Sequence, residues 1–265
     1  MNIVGYITSL LIGLLLGIIG GGGSILSVPM LVYMFLLDAT VATSYSLLIV
    51  GTTSAIGAIT YYKQQLIDVK TAFMFGIPSM VAVLITRKFI VPLVPASLHF
   101  YYTTISKGTL LLVLFAFLML ASAYQLIMKP AANYQAQSTV RIAFVTLLSQ
   151  GLAVGFVTGF VGAGGGFLII PALTLVAKLP IKTAIGTSLL IISANTLVGF
   201  IGFSLTASIP PTHWMMLLTI SAFAIIGMLV GSTIAKKISP TKLKPAFGWF
   251  IFFVAVYMLV KETIL

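Results

Sequence analysis

The chain contains no cysteine and very little charge. Only 6% of its 265 residues are charged, and three are acidic: Asp38, Asp68 and Glu262. The absence of cysteine excludes disulfide bonds, iron–sulfur clusters and thiol chemistry. A soluble domain carries about 25% charged residues, so this chain has too few charges to cover a surface that faces water. With 60% hydrophobic residues and a mean hydropathy of +1.21, the sequence predicts an integral membrane protein.

The acidic residues lie near the ends of apolar runs, and both histidines, His99 and His213, lie in connections. Intramembrane proton relays use Asp, Glu or His within a span, so carboxylate-based proton coupling is not supported. An intramembrane serine protease would need a Ser–His pair and an aspartyl protease two Asp within spans. Neither pattern is evident, so we expect no enzyme, no metal and no other cofactor.

The formal net charge of +11 comes from basic residues that lie singly or in pairs between apolar runs. No nucleic-acid motif accompanies them, so we expect no nucleic-acid partner. We interpret them as topology signals and as contacts with the lipid bilayer. An electropositive mouth that concentrates anions is the alternative for pairs such as Arg87–Lys88 and Lys236–Lys237.

Ten apolar segments run along the chain, and most approach the ~20 residues that a helix needs to cross a bilayer. They cover residues 3–19, 24–37, 41–61, 71–86, 105–128, 140–161, 165–178, 184–205, 214–235 and 246–263. The polar stretch 129–139 divides them into two sets of five. We predict an all-α polytopic membrane protein with a first repeat over 1–128, a linker over 129–139 and a second repeat over 140–265.

The two halves resemble each other at a shift of 142 residues. The shift places GIIGGGGSILSVP at 17–29 on GFVGAGGGFLIIP at 159–171. It also places VATSYSLLIVGTTSAIGA at 41–58 on TAIGTSLLIISANTLVGF at 183–200. The sequence therefore predicts a tandem duplication, with about five apolar segments in each unit.

We expect each glycine-rich stretch to break a helix within the membrane as a broken or re-entrant pair. Consecutive glycines weaken helix continuity and permit positive φ. Free backbone groups are costly in hydrocarbon, so such breaks occur where they line a cavity. Paired interrupted segments in matching halves are typical of the substrate site of secondary transporters. The predicted binding residues here are Gly20, Gly21, Gly22, Gly23, Ser24, Gly162, Gly164, Gly165 and Gly166.

The helix after each break would begin near Ser24 or Gly166. Its N-terminus would present N–H groups and positive dipole density to an anion. A tight turn between two spans is the alternative for these stretches. The outer glycines fit the small-residue pattern of helix packing instead; they are Gly13, Gly17, Gly155, Gly159, Gly227 and Gly231.

Four polar residues in the segments that follow complete the predicted substrate site. Under the same shift Ser46 corresponds to Ser188, and Thr53 corresponds to Asn195. Hydroxyl and amide groups can donate to an oxyanion, although Ser and Thr in spans also bond to their own helix. Asn195 is the strongest of the four, because an amide in hydrocarbon needs more partners than a hydroxyl.

The two stretches GLLLGIIGGGGSILSVPML at 13–31 and GFVTGFVGAGGGFLIIPAL at 155–173 resemble the duplicated signature of the TauE/SafE family. The segments after them are also similar to that family, and the resemblance covers essentially the whole chain. It implies a bacterial-type permease for small anions such as sulfite, sulfoacetate and other organosulfonates. Ser24 opposite Gly166, and Gly21 opposite Ala163, depart from strict symmetry of the two breaks.

We therefore expect a secondary transporter that moves a small anion across the cytoplasmic membrane by alternating access; a passive anion channel is the alternative. A homo-oligomer is compatible with the sequence. If all ten segments cross, each half contributes an odd number of crossings and the halves are inverted, which the positive-inside rule favours. Eight spans in parallel halves are the alternative.

Overall fold

The computed structural model describes residues 3–94, 97–100, 103–128, 140–161, 165–175, 177–205, 209–237 and 240–263. The helices of the first half are α1 (Ile3–Ile19), α2 (Ser27–Tyr33), α3 (Ala39–Lys63), α4 (Val69–Ile85), α5 (Val91–Leu93) and α6 (Lys107–Met128). Those of the second half are α7 (Val140–Val161), α8 (Gly166–Leu175), α9 (Ile181–Ser204), α10 (Pro211–Ala235) and α11 (Pro240–Thr263). The predicted linker 129–139 lies outside the described residues.

The helices follow the apolar segments of the sequence. Within the described residues, five helices are long and apolar enough to cross a membrane: Ala39–Lys63, Val69–Leu93, Lys107–Tyr124, Ile181–Ser204 and Pro211–Ala235. Exposed large apolar side chains line their outer faces, as expected where lipid is the solvent. The helical, multi-pass part of the fold prediction is confirmed.

The long connection predicted at 87–104 is more ordered than its polar composition indicates. After α4 the chain continues through a π-helical segment, Thr86–Ile90, into α5. A two-stranded antiparallel hairpin follows, with β1 (Ser97–Phe100) paired to β2 (Thr103–Ser106). Pairing the strands gives backbone groups in this connection partners that a single extended segment would lack.

The two halves begin their helices differently. Asp38 and Asp68 are the N-caps of α3 and α4, and their carboxylates accept hydrogen bonds from backbone N–H groups of the first turn. Their counterparts under the 142-residue shift, Pro180 and Pro210, precede α9 and α10 without a side-chain cap. Two of the three acidic residues therefore serve to start helices.

Helices α3 and α9, which correspond in the two halves, pack against each other and run antiparallel. A Cβ atom at Gly57 would lie 3.2 Å from Leu189 Cδ1, and one at Gly199 would lie 3.3 Å from Leu47 Cδ1. The contacts are reciprocal, because Gly57 corresponds to Gly199 and Leu47 to Leu189. The pattern is unchanged when each residue is replaced by its counterpart in the other half.

The remaining helix pairs obey the same relation. Helix α1 packs on α10, and its counterpart α7 packs on α4, the counterpart of α10; helix α6 packs on its own counterpart α11. Glycines allow the close crossings. A Cβ at Gly17 would lie 2.6 Å from Ser232 N, and one at Gly159 would lie 3.0 Å from Val83 O. The packing role predicted for the outer glycines is confirmed.

The buried apolar clusters draw residues from both halves. One contains Ile12 and Leu16 of α1 together with Ala224 and Met228 of α10. Another joins Phe115 of α6 to helix α11. Because each half contributes to each core, neither half buries its apolar faces by itself.

Candidate functional site

The two glycine-rich stretches contact each other in the interior of the protein. Gly21 and Gly166 are both buried, and their backbones meet directly. A Cβ atom at Gly21 would lie 2.5 Å from Gly166 O, and one at Gly166 would lie 2.7 Å from Gly21 O, both inside the approach that real Cβ atoms make. We call this contact the glycine crossing. Only a pair of glycines permits two backbones to meet this closely.

The helix breaks occur at glycines with positive φ. Gly20 follows α1 with φ 75°, and Gly165 precedes α8 with φ 62°. Both values lie in the left-handed region that other residues rarely adopt. Helix α8 then begins at Gly166, as predicted, and Leu168 and Ile169 donate their N–H groups to Gly165 O at 2.9 and 3.1 Å.

In the first half, the α-helix does not restart near Ser24, where the sequence predicts it. A 3-10 segment, Gly21–Leu26, follows the break, and α2 begins only at Ser27. Ser24 Oγ donates to Gly21 O at 2.7 Å, and Ser27 Oγ donates to Ser24 O at 2.6 Å. Both hydroxyls therefore bond within the segment rather than across it.

The structure describes some of the other glycines of the predicted site and not others. Gly23 packs on α1, where its Cβ would lie 2.5 Å from Leu16 N. Gly22 belongs to the 3-10 segment between Gly21 and Gly23. Gly162 and Gly164 lie outside the described residues, so their place at the crossing remains a prediction.

The predicted hydroxyl groups are buried and bond to their own helices. Ser46 Oγ donates to Thr43 O at 2.9 Å, Thr53 Oγ1 to Ile49 O at 2.6 Å, and Ser188 Oγ to Ile185 O at 2.8 Å. Ser188 lies next to the first break, since a Cβ at Gly20 would lie 3.1 Å from Ser188 Oγ. The structure thus brings Ser188 to the glycine stretch.

Asn195 bridges two helices. Its Nδ2 donates to Ser79 Oγ of α4 at 2.6 Å, and its Oδ1 is shielded from solvent without a hydrogen-bond partner in the described structure. An unpaired buried polar atom is rare in folded proteins. Ser79 was not among the predicted site residues. A serine inside the apolar segment 71–86 was the available signal, and it does not reveal which helix faces it.

The polar groups that the described structure places beside the glycine crossing are backbone groups and the hydroxyls of Ser24 and Ser188. Both hydroxyls already donate to nearby carbonyl groups. The described residues contain no cluster of His, Cys, Asp and Glu suited to a metal ion. Backbone N–H groups can bind an anion by hydrogen bonds without adding a titratable charge.

Comparison with known proteins places the chain in a family. The family model described as "Sulfite exporter TauE/SafE" matches residues 6–258. The match spans the glycine crossing and all four of the helix pairs described above. No solved structure matches the chain significantly.

Named relatives are similar along most of their length. A "Probable membrane transporter protein" of Xylella fastidiosa strain Temecula1 is 26% identical over 253 residues, which cover 94% of this chain and 91% of the relative. The "Probable membrane transporter protein YunE" of Bacillus subtilis is 26% identical over 255 residues, covering 88% and 89%. The chain belongs to the TauE/SafE sulfite exporter family and is a multi-pass membrane protein of transporter type.

Proposed function

We propose that this protein is a secondary transporter that moves a small oxyanion, such as sulfite, sulfoacetate or another organosulfonate, by alternating access. The contact of Gly21 with Gly166 carries the proposal. Two interrupted segments from matching halves meet there, which is the arrangement that secondary transporters use for their substrate sites. The family description supplies the sulfur anion.

The halves of this transporter are inverted repeats. The antiparallel packing of α3 on α9 and the reciprocal contacts of Gly57 and Gly199 support this arrangement. If both helices cross the bilayer, an axis that relates them must lie in the membrane plane. Inversion gives the substrate site two equivalent routes, one to each membrane face, which alternating access requires.

The closed state of the crossing also supports a transporter rather than an open pore. Between Gly21 and Gly166 there is no room for a methyl group, and so none for a sulfite ion. An anion reaches the backbone amides only when the two segments separate. Rocking one repeat against the other separates them, whereas a pore would keep a continuous lumen.

The anion is held by hydrogen bonds rather than by a fixed charge. The first N–H groups of a helix have no acceptor within it, and the breaks at Gly20 and Gly165 leave such groups close to the crossing. Ser188 lies within reach of the first break. The site operates in a bacterial cytoplasmic membrane, in keeping with the bacterial sources of the relatives cited.

The transport proposal is tested in proteoliposomes. Uptake of radiolabelled sulfite and sulfoacetate is measured in competition with sulfate and chloride, with and without proton or sodium gradients. We expect saturable uptake that is stimulated by substrate on the opposite side. No uptake of either anion by folded, inserted protein would overturn the substrate assignment, and unitary conductance in planar bilayers would favour a channel.

The inverted arrangement has a separate test, because the chain has no cysteine of its own. Single variants Lys63→Cys and Leu205→Cys place thiols at exposed, corresponding positions at the ends of α3 and α9. Inverted halves require the two thiols to react with a membrane-impermeant maleimide from opposite sides. Labelling of both from one side would contradict the inversion while leaving the transport result intact.

A further inference from the structure

Arg87 is directed toward the helix bundle. It lies in the apolar helix Val69–Leu93, which is long enough to cross a membrane. Its half-buried side chain donates from Nη1 to Ser44 Oγ at 3.0 Å and from Nη2 to Thr43 O at 3.3 Å. Ionisable residues in spans are costly and mark functional sites. Both partners are neutral oxygens of α3, so they leave the positive charge uncompensated.

The described residues give Arg87 no carboxylate partner. Asp38 and Asp68 accept from backbone N–H groups at the starts of their helices. Glu262 accepts from Tyr33 Oη at 3.2 Å. Arg87 Nε is shielded from solvent and has no hydrogen-bond partner. A guanidinium carries five N–H donors, so donors remain free beyond the two bonds to α3.

The backbone around Arg87 is also unusual. Arg87 belongs to the π-helical segment Thr86–Ile90, and π-helical turns often occur at functional sites. The Thr86 hydroxyl is shielded and has no partner, whereas Thr52 of α3 bonds back to its own helix. Two neighbouring residues thus each keep a shielded polar atom without a partner.

The second half lacks this arrangement. Its basic pair, Lys236 and Lys237, lies just after α10 and is exposed. Gly186 stands where the 142-residue shift places the counterpart of Ser44, so no hydroxyl is present to receive the charge. At this end the described basic pair of the second half is exposed, whereas Arg87 is directed toward the bundle. The position of Arg87 points to a function that belongs to one end of one half.

We propose that Arg87, seated against Ser44, binds an oxyanion at a second site distinct from the glycine crossing. The Nε–H edge of a guanidinium forms paired, charge-assisted bonds with an oxyanion. Where the ligand is the transported anion, the site rests on the proposed function and captures substrate from one membrane face. A lipid phosphate has the same chemistry, and the test distinguishes the two sources.

Chemical modification tests the site directly. The chain contains two arginines, Arg87 and Arg141. In an Arg141→Lys variant, phenylglyoxal can modify arginine only at Arg87, and peptide mass spectrometry measures the rate. In phosphatidylcholine nanodiscs we expect sulfoacetate or phosphate to slow the modification about tenfold relative to chloride at equal ionic strength, because paired charge-assisted bonds cover the guanidinium.

Binding by matched variants gives the second measurement. We expect Arg87→Gln to weaken radiolabelled sulfoacetate binding about 10- to 100-fold, the range for lost bonds to a charged group. Arg87→Lys, which keeps the charge but not the planar fork, should recover part of the affinity. Lys236→Gln, at an exposed basic residue of the second half, should bind like the wild type. Thermal unfolding of each variant checks that it is folded.

The lipid source is tested in nanodiscs that contain phosphatidylglycerol. Retention of this lipid in native mass spectra by wild type, and its loss in Arg87→Gln, would support the site with a lipid phosphate as its ligand. Arg87-dependent protection by phosphate without any sulfur-anion transport would support the site and defeat the proposed function. The site would be overturned if neither the protection from modification nor the retention of lipid depended on Arg87.

Discussion

Helix α9 carries Asn195 where its counterpart α3 carries Thr53, and the two side chains behave differently. Asn195 crosses to Ser79 of α4, whereas Thr53 bonds to Ile49 O of its own helix. Ser221 of α10 keeps a buried hydroxyl without a hydrogen-bond partner in the described structure. Helices α3 and α9 thus correspond in sequence but differ in the polar contacts that they make.

The difference separates two kinds of constraint. Glycines set the distances between helices, and they recur in both halves at the close crossings of α1 on α10 and of α7 on α4. Polar side chains such as Asn195 and Arg87 occur in one half only. A transporter that distinguishes the two faces of a membrane needs some asymmetry of this kind, and here it lies in side chains.

The largest effect is expected at the glycine crossing. Gly21→Ala and Gly166→Ala each force a methyl group into the opposing backbone. Overpacking costs about 1–3 kcal/mol even where side chains can yield, and backbone cannot yield in the same way. We expect uptake of the sulfur anion in proteoliposomes to fall to background in both variants.

The control for the crossing is Gly202→Ala, whose Cβ would lie 3.7 Å from Leu84 Cδ2 in ordinary contact. It should transport like the wild type. Wild-type uptake by Gly21→Ala and Gly166→Ala, in protein that elutes as a single species, would contradict the assignment of the crossing.

The packing glycines test how symmetric the halves are. Gly13→Ala drives a methyl group into the α10 backbone at Ala224, and its counterpart Gly155→Ala does the same at Ser79 of α4. We expect each to lower the free energy of unfolding by at least the ~1–3 kcal/mol of ordinary overpacking, measured by reversible unfolding in mixed micelles. Gly76→Ala, 3.6 Å from Ile191 Cγ1, is the neutral control. A large difference between the losses in Gly13→Ala and Gly155→Ala would show that the two helix crossings are not equivalent.

The hydrogen bond from Asn195 of α9 to Ser79 of α4 should contribute more to stability than the bond that Thr53 makes within α3. Asn195→Ala removes the partner of the buried Ser79 hydroxyl, and we expect a loss of about 1–3 kcal/mol in the free energy of unfolding. Thr53→Val removes a bond within one helix, so its loss should be smaller, about 0.5–1 kcal/mol. Equal losses in the same unfolding assay would show that the Asn195–Ser79 bond stabilises the protein no more than a bond within one helix.

The helix caps give the smallest expected effect. Asp68→Ala removes the carboxylate that accepts from Thr71 N, and Asp38→Ala removes the one that accepts from Thr40 N. Loss of a cap costs about 0.5–2 kcal/mol. Pro180→Ala, at the uncapped counterpart of Asp38, should lose no cap bond. The capping role would be contradicted if Pro180→Ala lowered the unfolding midpoint as much as Asp38→Ala and Asp68→Ala do.

Much of the fold could be predicted from the sequence because hydrocarbon leaves few alternatives. Apolar segments of sufficient length become helices, and consecutive glycines interrupt them. The start of α8 at Gly166 followed from this logic. The start of α2 did not, because apolar periodicity does not distinguish the 3-10 segment Gly21–Leu26 from an α-helix.

The partners of polar side chains could not be predicted in the same way. Nothing local to Asn195 indicates that it meets Ser79, and nothing local to Arg87 indicates that it turns to Ser44. These contacts join residues far apart in the chain, and they depend on how helices rotate as they pack. A side chain in a span faces lipid or protein according to that rotation.

By itself, the sequence determined that the protein lives in a membrane, that it is helical, and that glycines recur at matching places in its halves. Those properties follow from composition, segment length and the conformational range of glycine. Only the tertiary structure decided that Gly21 meets Gly166, that corresponding helices pack reciprocally, and that one arginine is directed inward. Close packing decides such contacts, because the space at each helix crossing depends on residues from both halves at once.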